Sequence, residues 1–262
     1  MAESNYYDRF NDNQSPKGGR QYEQVTSNGS VYTLGKVFAY MFAGLLITTL
    51  IALGLGALFN YLLLNNQAVT DFSATGAAIL LGLLITSAIG IIVLSFVVPI
   101  TVARGRHSVL VPSIIYAVLM GVLLSTICIV VPWYLLGITF GITSLIFGLM
   151  ALIAFLAKGK LNGLAIAAIG LLIGAGFIAL TMWILMLTGV DVTLLYWIVS
   201  LAVFAAMMLI TIWDLWRIKK IAENGEMTNN LSLYCAFILY NDFIYILLRV
   251  LRIVLIVMSN KK

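Results

Sequence analysis

Long apolar runs separated by short polar joints dominate this sequence. A helix of about 20 apolar residues is long enough to cross the roughly 30 Å of hydrocarbon in a bilayer. Only 10% of the residues are charged and 62% are hydrophobic, whereas soluble domains carry about 25% charged residues. The sequence therefore predicts an all-α membrane protein with seven transmembrane helices, at 35–64, 77–103, 109–131, 134–157, 162–187, 193–221 and 229–257.

The first 30 residues differ from the rest because they are polar and of mixed charge. They contain no apolar signal-peptide core after a basic start, and such a composition is typical of disorder. We predict two regions: a disordered cytoplasmic tail at 1–30, and a seven-helix transmembrane domain at 31–262. The first span then acts as an uncleaved insertion signal.

Basic residues alternate between the joints. They occur in the tail and in the second, fourth and sixth joints, and are absent from the first, third and fifth. Because Lys and Arg favour the cytoplasmic side, we predict a cytoplasmic N-terminus and, for seven spans, an external C-terminus. Lys261 and Lys262 oppose this rule, so a last segment that re-enters and returns is the alternative.

Two acidic residues, Asp214 and Asp242, lie well inside predicted spans, whereas the other eight lie in the tail or joints. An Asp at the centre of a membrane helix costs about 2.5–3.5 kcal/mol. With the loop between the last two spans taken as 223–230, the residue at the depth of Asp214 is near 239. Asp242 lies three residues further, about 4.5 Å along the axis. The spacing predicts similar depth but leaves helix rotation open.

If the two carboxyl groups face each other, they cannot both ionise cheaply and would titrate as a coupled pair. Shared protonation would hold the helices together, and deprotonation would create an oxygen site for Ca²⁺. Two structural alternatives remain open. Asp214 has Arg217 three residues away, at ion-pair spacing, and Asp242 shares a helical face with Arg249.

Several other features admit two interpretations. Arg104 either reaches inward as a counter-charge to the acidic pair or anchors the topology. Arg249 and Arg252 either snorkel outward or line a polar path. Glycines spaced four apart, at 137 and 141 and at 170 and 174, are candidate helix-packing faces.

The segment from Leu239 to Ile244, LYNDFI, followed by Leu247-Leu248-Arg249, resembles the last helix of the transmembrane Bax-inhibitor-motif family. "WDLWRIKK", "YAVLMGVLLSTI" and "AKGKLN" resemble its sixth helix, its third helix and a basic joint. The resemblance covers about residues 31–257 and is closest to bacterial members. Trp213 and Asn241 depart from the family's usual residues before each Asp.

The resemblance implies a seven-helix fold with the C-terminal helix central. It also implies a pH-sensitive calcium leak regulated by two hydrogen-bonded aspartates, here Asp214 and Asp242. Arg104 would be the second-helix arginine that interacts with this pair.

We therefore expect a calcium-permeable leak channel in a bacterial inner membrane, gated by protonation of Asp214 and Asp242. Its partners would be the lipid bilayer, protons and calcium ions, with no nucleic acid and no cofactor other than permeant or bound calcium. The chain shows no nucleophile–base set, phosphate loop or metal-ligand cluster, and no Gly-x-Gly-Asp motif surrounds either aspartate, so we do not expect an enzyme. A proton-coupled secondary transporter and a non-conducting regulatory membrane protein are the alternatives.

Overall fold

The computed structural model describes residues 27–65, 70–104, 108–157, 159, 161–187, 192–225 and 227–259. These residues form helices without any strand, and each predicted run corresponds to one helix. The helices are α1 Ser27–Asn65, α2 Thr70–Arg104, α3 Leu110–Val130, α4 Trp133–Leu156, α5 Asn162–Leu187, α6 Thr193–Glu223 and α7 Asn229–Ser259. Residues 1–26 of the predicted tail lie outside the described residues, and α1 already begins at Ser27.

Six helices, α1 to α6, are long and apolar enough to cross a membrane. The last helix, α7, is not among these six and carries Asp242, Arg249 and Arg252. Six apolar spans therefore make this a multi-pass membrane protein, while a seventh crossing stays a prediction. Charged residues in membrane helices almost always face the protein interior or a water-filled cavity, so a polar α7 needs neighbours around it.

The last helix has such neighbours because it packs against α1, α2, α3, α4 and α6. Phe243 illustrates the contact with α4, where its ring centroid lies 5.6 Å from that of Phe147. Leu239 and Ile246 of α7 are completely buried. The other helices expose many large apolar side chains, including Trp133 and Leu201. The polar helix is thus surrounded by helices whose outer surfaces suit lipid.

Close helix contacts occur at glycines other than those that the sequence singled out. A Cβ atom at Gly121 of α3 would lie 2.9 Å from the backbone oxygen of Thr48 in α1. At both four-residue glycine spacings, by contrast, a Cβ would meet nothing within 4 Å. The expectation that these spacings mark packing faces is therefore wrong, since those glycines face open space.

A short turn joins α6 to α7 and makes them antiparallel neighbours. Gly225 has a φ of 72°, the left-handed conformation that ends helices and that glycine adopts without strain. Its backbone N–H donates to the carbonyl oxygen of Ala222 at 3.2 Å. This turn is what brings the part of α6 around Asp214 alongside the part of α7 around Asp242.

Candidate functional site

Asp214 and Asp242 come together across the contact between α6 and α7. Asp214 is buried, with 7% of its surface exposed, and its charge interacts electrostatically with that of Asp242. Among the described residues, the two carboxyl groups form no direct hydrogen bond, and Oδ2 of Asp242 is buried without any hydrogen-bond partner. The two residues are thus near each other, as the hairpin spacing predicts, and the direct bond between them that the resemblance implies stays a prediction.

Thr211 of α6 lies one helical turn before Asp214 and contributes a hydroxyl next to this pair. Its hydroxyl lies beside the carboxyl group of Asp242 and donates to the carbonyl oxygen of Met207 at 2.9 Å. A hydroxyl that donates its proton elsewhere still has lone pairs to accept one. Thr211 can therefore accept a hydrogen bond from a protonated Asp242.

The ion pair between Asp214 and Arg217, one of the structural alternatives, does not form. Arg217 is exposed and its guanidinium lies 5.4 Å from the ring centroid of Trp213, although its charge still acts on Asp214. Within the described residues, the ion pairs of α6 join Lys219 and Lys220 to Glu223 in its last turn. In the described part of the chain, Asp214 therefore has no cation in contact.

Arg249 and Arg252 do not pair with Asp242 either. Arg249 donates from Nη1 to the hydroxyl of Ser200 at 3.0 Å, and Arg252 donates from Nη1 to the hydroxyl of Tyr196 at 2.9 Å. Both arginines therefore connect α7 to the beginning of α6, far along the hairpin from the acidic pair. The alternative of an Asp242–Arg249 network is not formed.

Arg104, the candidate counter-charge, is the last residue of α2. Its side chain lies outside the described part of the structure, so its interaction with the acidic pair stays a prediction.

Asp242 belongs to a layer of polar side chains that was not predicted from the sequence. This polar layer consists of Tyr240, Asn241 and Asp242 of α7 and the side chains that they contact on other helices. The two residues before it on α7 are polar and each binds another helix. Asn241 accepts a hydrogen bond at Oδ1 from the hydroxyl of Tyr116 in α3 at 2.7 Å. The hydroxyl of Tyr240 lies 2.6 Å from that of Thr48 in α1. Asn241, a polar residue directly before Asp242, was a sequence signal for this layer. Its partner Tyr116 could not be predicted without knowing how the helices are oriented.

Oxygen atoms from α1, α3, α6 and α7 thus surround one level of the bundle. Residues 240–242 span about 3 Å along the axis of α7, so their partners lie at nearly the same level. No group of three or more His, Cys, Asp or Glu side chains that could hold a metal ion occurs among the described residues. Two carboxyl groups with neutral oxygens provide fewer charges than a tight Ca²⁺ site uses.

The chain is similar to known membrane proteins. A family model described as "Inhibitor of apoptosis-promoting Bax1" (Bax1-I) matches residues 32–260. The inner membrane protein YbhL of Escherichia coli strain K12 is 29% identical over 229 residues, which are 84% of this chain and 89% of YbhL. YbhL of E. coli O6:H1 strain CFT073 matches to the same extent. No solved structure matches significantly.

Proposed function

The chain belongs to the Bax1-I family, and from this membership together with the buried acidic pair we propose that it is a pH-sensitive, calcium-permeable leak channel. Protonation of Asp214 and Asp242 would keep it closed. Its similarity to an inner membrane protein of E. coli supports a location in a bacterial inner membrane, and the alternation of basic joints supports a cytoplasmic N-terminus.

One observation carries the proposal: Oδ2 of Asp242 is buried and has no hydrogen-bond partner among the described residues. An unpaired buried polar group costs about 1–3 kcal/mol, and more if it is charged. Two states relieve that cost, because the carboxyl group can bind a proton or a cation. A proton-controlled cation path uses both.

The closed state holds at least one proton on the pair. Thr211 can then accept a hydrogen bond from Asp242, which ties α7 to α6 in the middle of the hairpin. Arg249 and Arg252 tie the same two helices at the other end through Ser200 and Tyr196. With both contacts made, α6 and α7 stay packed together and the polar layer remains closed to ions.

The open state follows loss of that proton. Two carboxylates in a medium of low dielectric repel each other, and the repulsion acts directly across the contact between α6 and α7. The other titratable or charged groups near the pair are Arg217, whose positive charge acts on Asp214, the buried thiol of Cys235 and the hydroxyl of Tyr240. Since Arg217 is exposed, solvent screens it and it offsets the repulsion only in part.

The test is Ca²⁺ influx into liposomes that contain the purified protein and a calcium-sensitive dye, at acidic and alkaline pH. Flux should rise with pH in the wild-type protein. Asp214→Asn and Asp242→Asn imitate the protonated side chain, so both variants should conduct little at either pH. Glu223→Gln is the matched control because it removes an acidic residue of α6 outside the polar layer, and it should retain the wild-type response.

The alternatives predict different results in the same liposomes. A proton-coupled transporter would move Ca²⁺ uphill when a proton gradient is imposed, whereas a leak only dissipates the Ca²⁺ gradient. A regulatory protein that conducts nothing would show no flux at any pH. If both Asp variants kept the wild-type pH response, the acidic pair would not be the gate.

A further inference from the structure

An open groove of about 770 Å³ lies between α3, α6 and α7, beyond the acidic pair. Apolar side chains form most of its wall, among them Ile127, Val130, Met207 and Leu248, and Arg249 and Arg252 also line it. Val130 at its edge is 81% exposed. The groove therefore opens onto a surface whose apolar character suits lipid chains rather than water.

The two arginines that line this groove have no acidic partner among the described residues. Arg249 and Arg252 are three residues apart, so they project from one face of α7. Arg249 donates one hydrogen bond to the hydroxyl of Ser200 at 3.0 Å, and Arg252 donates one to the hydroxyl of Tyr196 at 2.9 Å. A guanidinium has five N–H donors, so further donors remain on each arginine. Within the described ranges, no carboxylate forms an ion pair with either arginine.

We propose that this groove binds an anionic phospholipid. The phosphate would accept hydrogen bonds from Arg249 and Arg252, because guanidinium groups bind phosphate in a paired, charge-assisted geometry. An acyl chain would lie along the apolar wall formed by α3 and α6. Basic pockets between membrane helices bind acidic lipid head groups in this way. The bound lipid neutralises both arginines, and it does so whether or not the protein conducts Ca²⁺.

The arginines also determine which helices such a lipid would contact. They also hold α7 to α6 through Ser200 and Tyr196, so the bound phosphate would join both helices at the end of the hairpin opposite Gly225. A lipid in this position is part of the contact between α6 and α7 rather than of the general annulus, and it should survive purification.

The test is native mass spectrometry of the full-length protein in detergent with equal amounts of phosphatidylglycerol and phosphatidylcholine of identical chains. Each arginine near a membrane surface adds roughly a fivefold preference for an anionic lipid. The wild-type protein should retain phosphatidylglycerol about 25-fold better than phosphatidylcholine. Arg249→Gln and Arg252→Gln should each lose about fivefold of that preference, and the double variant should lose nearly all of it.

Arg217→Gln is the matched control, since it removes an exposed arginine from the same hairpin outside the groove, and it should keep the full preference. The double variant Arg249→Lys and Arg252→Lys keeps both positive charges and should retain most of the preference. It thereby separates loss of charge from a folding defect in the glutamine variants. Glycerol 3-phosphate in excess, which has the phosphate without acyl chains, should not displace the lipid. Equal retention of the two lipids by the wild-type protein, an unchanged preference in the double glutamine variant, or full displacement by glycerol 3-phosphate would overturn the proposal.

Discussion

Replacing Gly121 by alanine should force α1 and α3 apart at the level of the polar layer. The added Cβ would lie 2.8 Å from the Cβ of Ile51 and 2.9 Å from the backbone oxygen of Thr48. Carbon atoms prefer separations of about 3.5–4.0 Å, so the helices must separate by roughly 0.7 Å or more. Inserting a methyl group into a tight contact costs about 1–3 kcal/mol.

The same displacement also weakens a hydrogen bond that supports α7. Thr48 donates its hydroxyl to the carbonyl oxygen of Ala117 at 3.0 Å, one turn before Gly121, and the Thr48 hydroxyl is also the partner of Tyr240. A bond between membrane helices contributes about 0.6 kcal/mol on average. The higher helix propensity of alanine offsets about 0.8–1 kcal/mol, so we expect a net loss of about 0.6–2.8 kcal/mol in the free energy of unfolding.

This loss is measured by thermal unfolding in detergent. Unfolding exposes the buried thiol of Cys235, and its reaction with a fluorogenic maleimide reports the unfolded fraction. Gly137→Ala is the matched control because its Cβ meets nothing within 4 Å, and it should be neutral or slightly stabilising. If Gly121→Ala were as stable as Gly137→Ala, the close approach of α1 and α3 described here would be wrong.

Two further predictions concern the polar layer. In a double-mutant cycle, Tyr116→Phe and Asn241→Leu should couple by about 0.6–1.7 kcal/mol in the free energy of unfolding, because they share one hydrogen bond; strict additivity would contradict that bond. At alkaline pH, Ca²⁺ at about ten times a millimolar dissociation constant should raise the free energy of unfolding by roughly 1.4 kcal/mol. Asp242→Asn should remove that increase, and an equal increase in this variant would exclude Asp242 as a cation ligand.

The helices and their order were predictable from the sequence, because a span needs only sufficient apolar length between polar joints. The neighbourhood of Asp214 and Asp242 was also predictable. Their separation from the loop is set by counting residues at a fixed rise per residue, and Gly225 ends α6 at the point that the count requires. Length and spacing are one-dimensional properties, and the sequence encodes them directly.

Contacts that depend on helix rotation were not predictable. Asn241 could have faced lipid or any neighbour, and only the orientation of α7 directs it to Tyr116 in α3. Glycine spacing failed for the same reason, since Gly137 faces open space while Gly121 meets α1. Arg249 similarly binds Ser200 rather than Asp242. Apolar residues facing lipid and those facing protein have the same hydropathy, so composition carries little information about which face is which.

If proton release from the acidic pair opens the protein to Ca²⁺, the slope of Ca²⁺ flux against pH must depend on that pair. On the acidic side of a one-proton transition the deprotonated fraction rises about tenfold per pH unit. The wild-type protein in liposomes should therefore show a slope of about one in log flux per pH unit, and Asp242→Asn a slope near zero. A slope in Asp242→Asn equal to that of the wild-type protein would contradict the account.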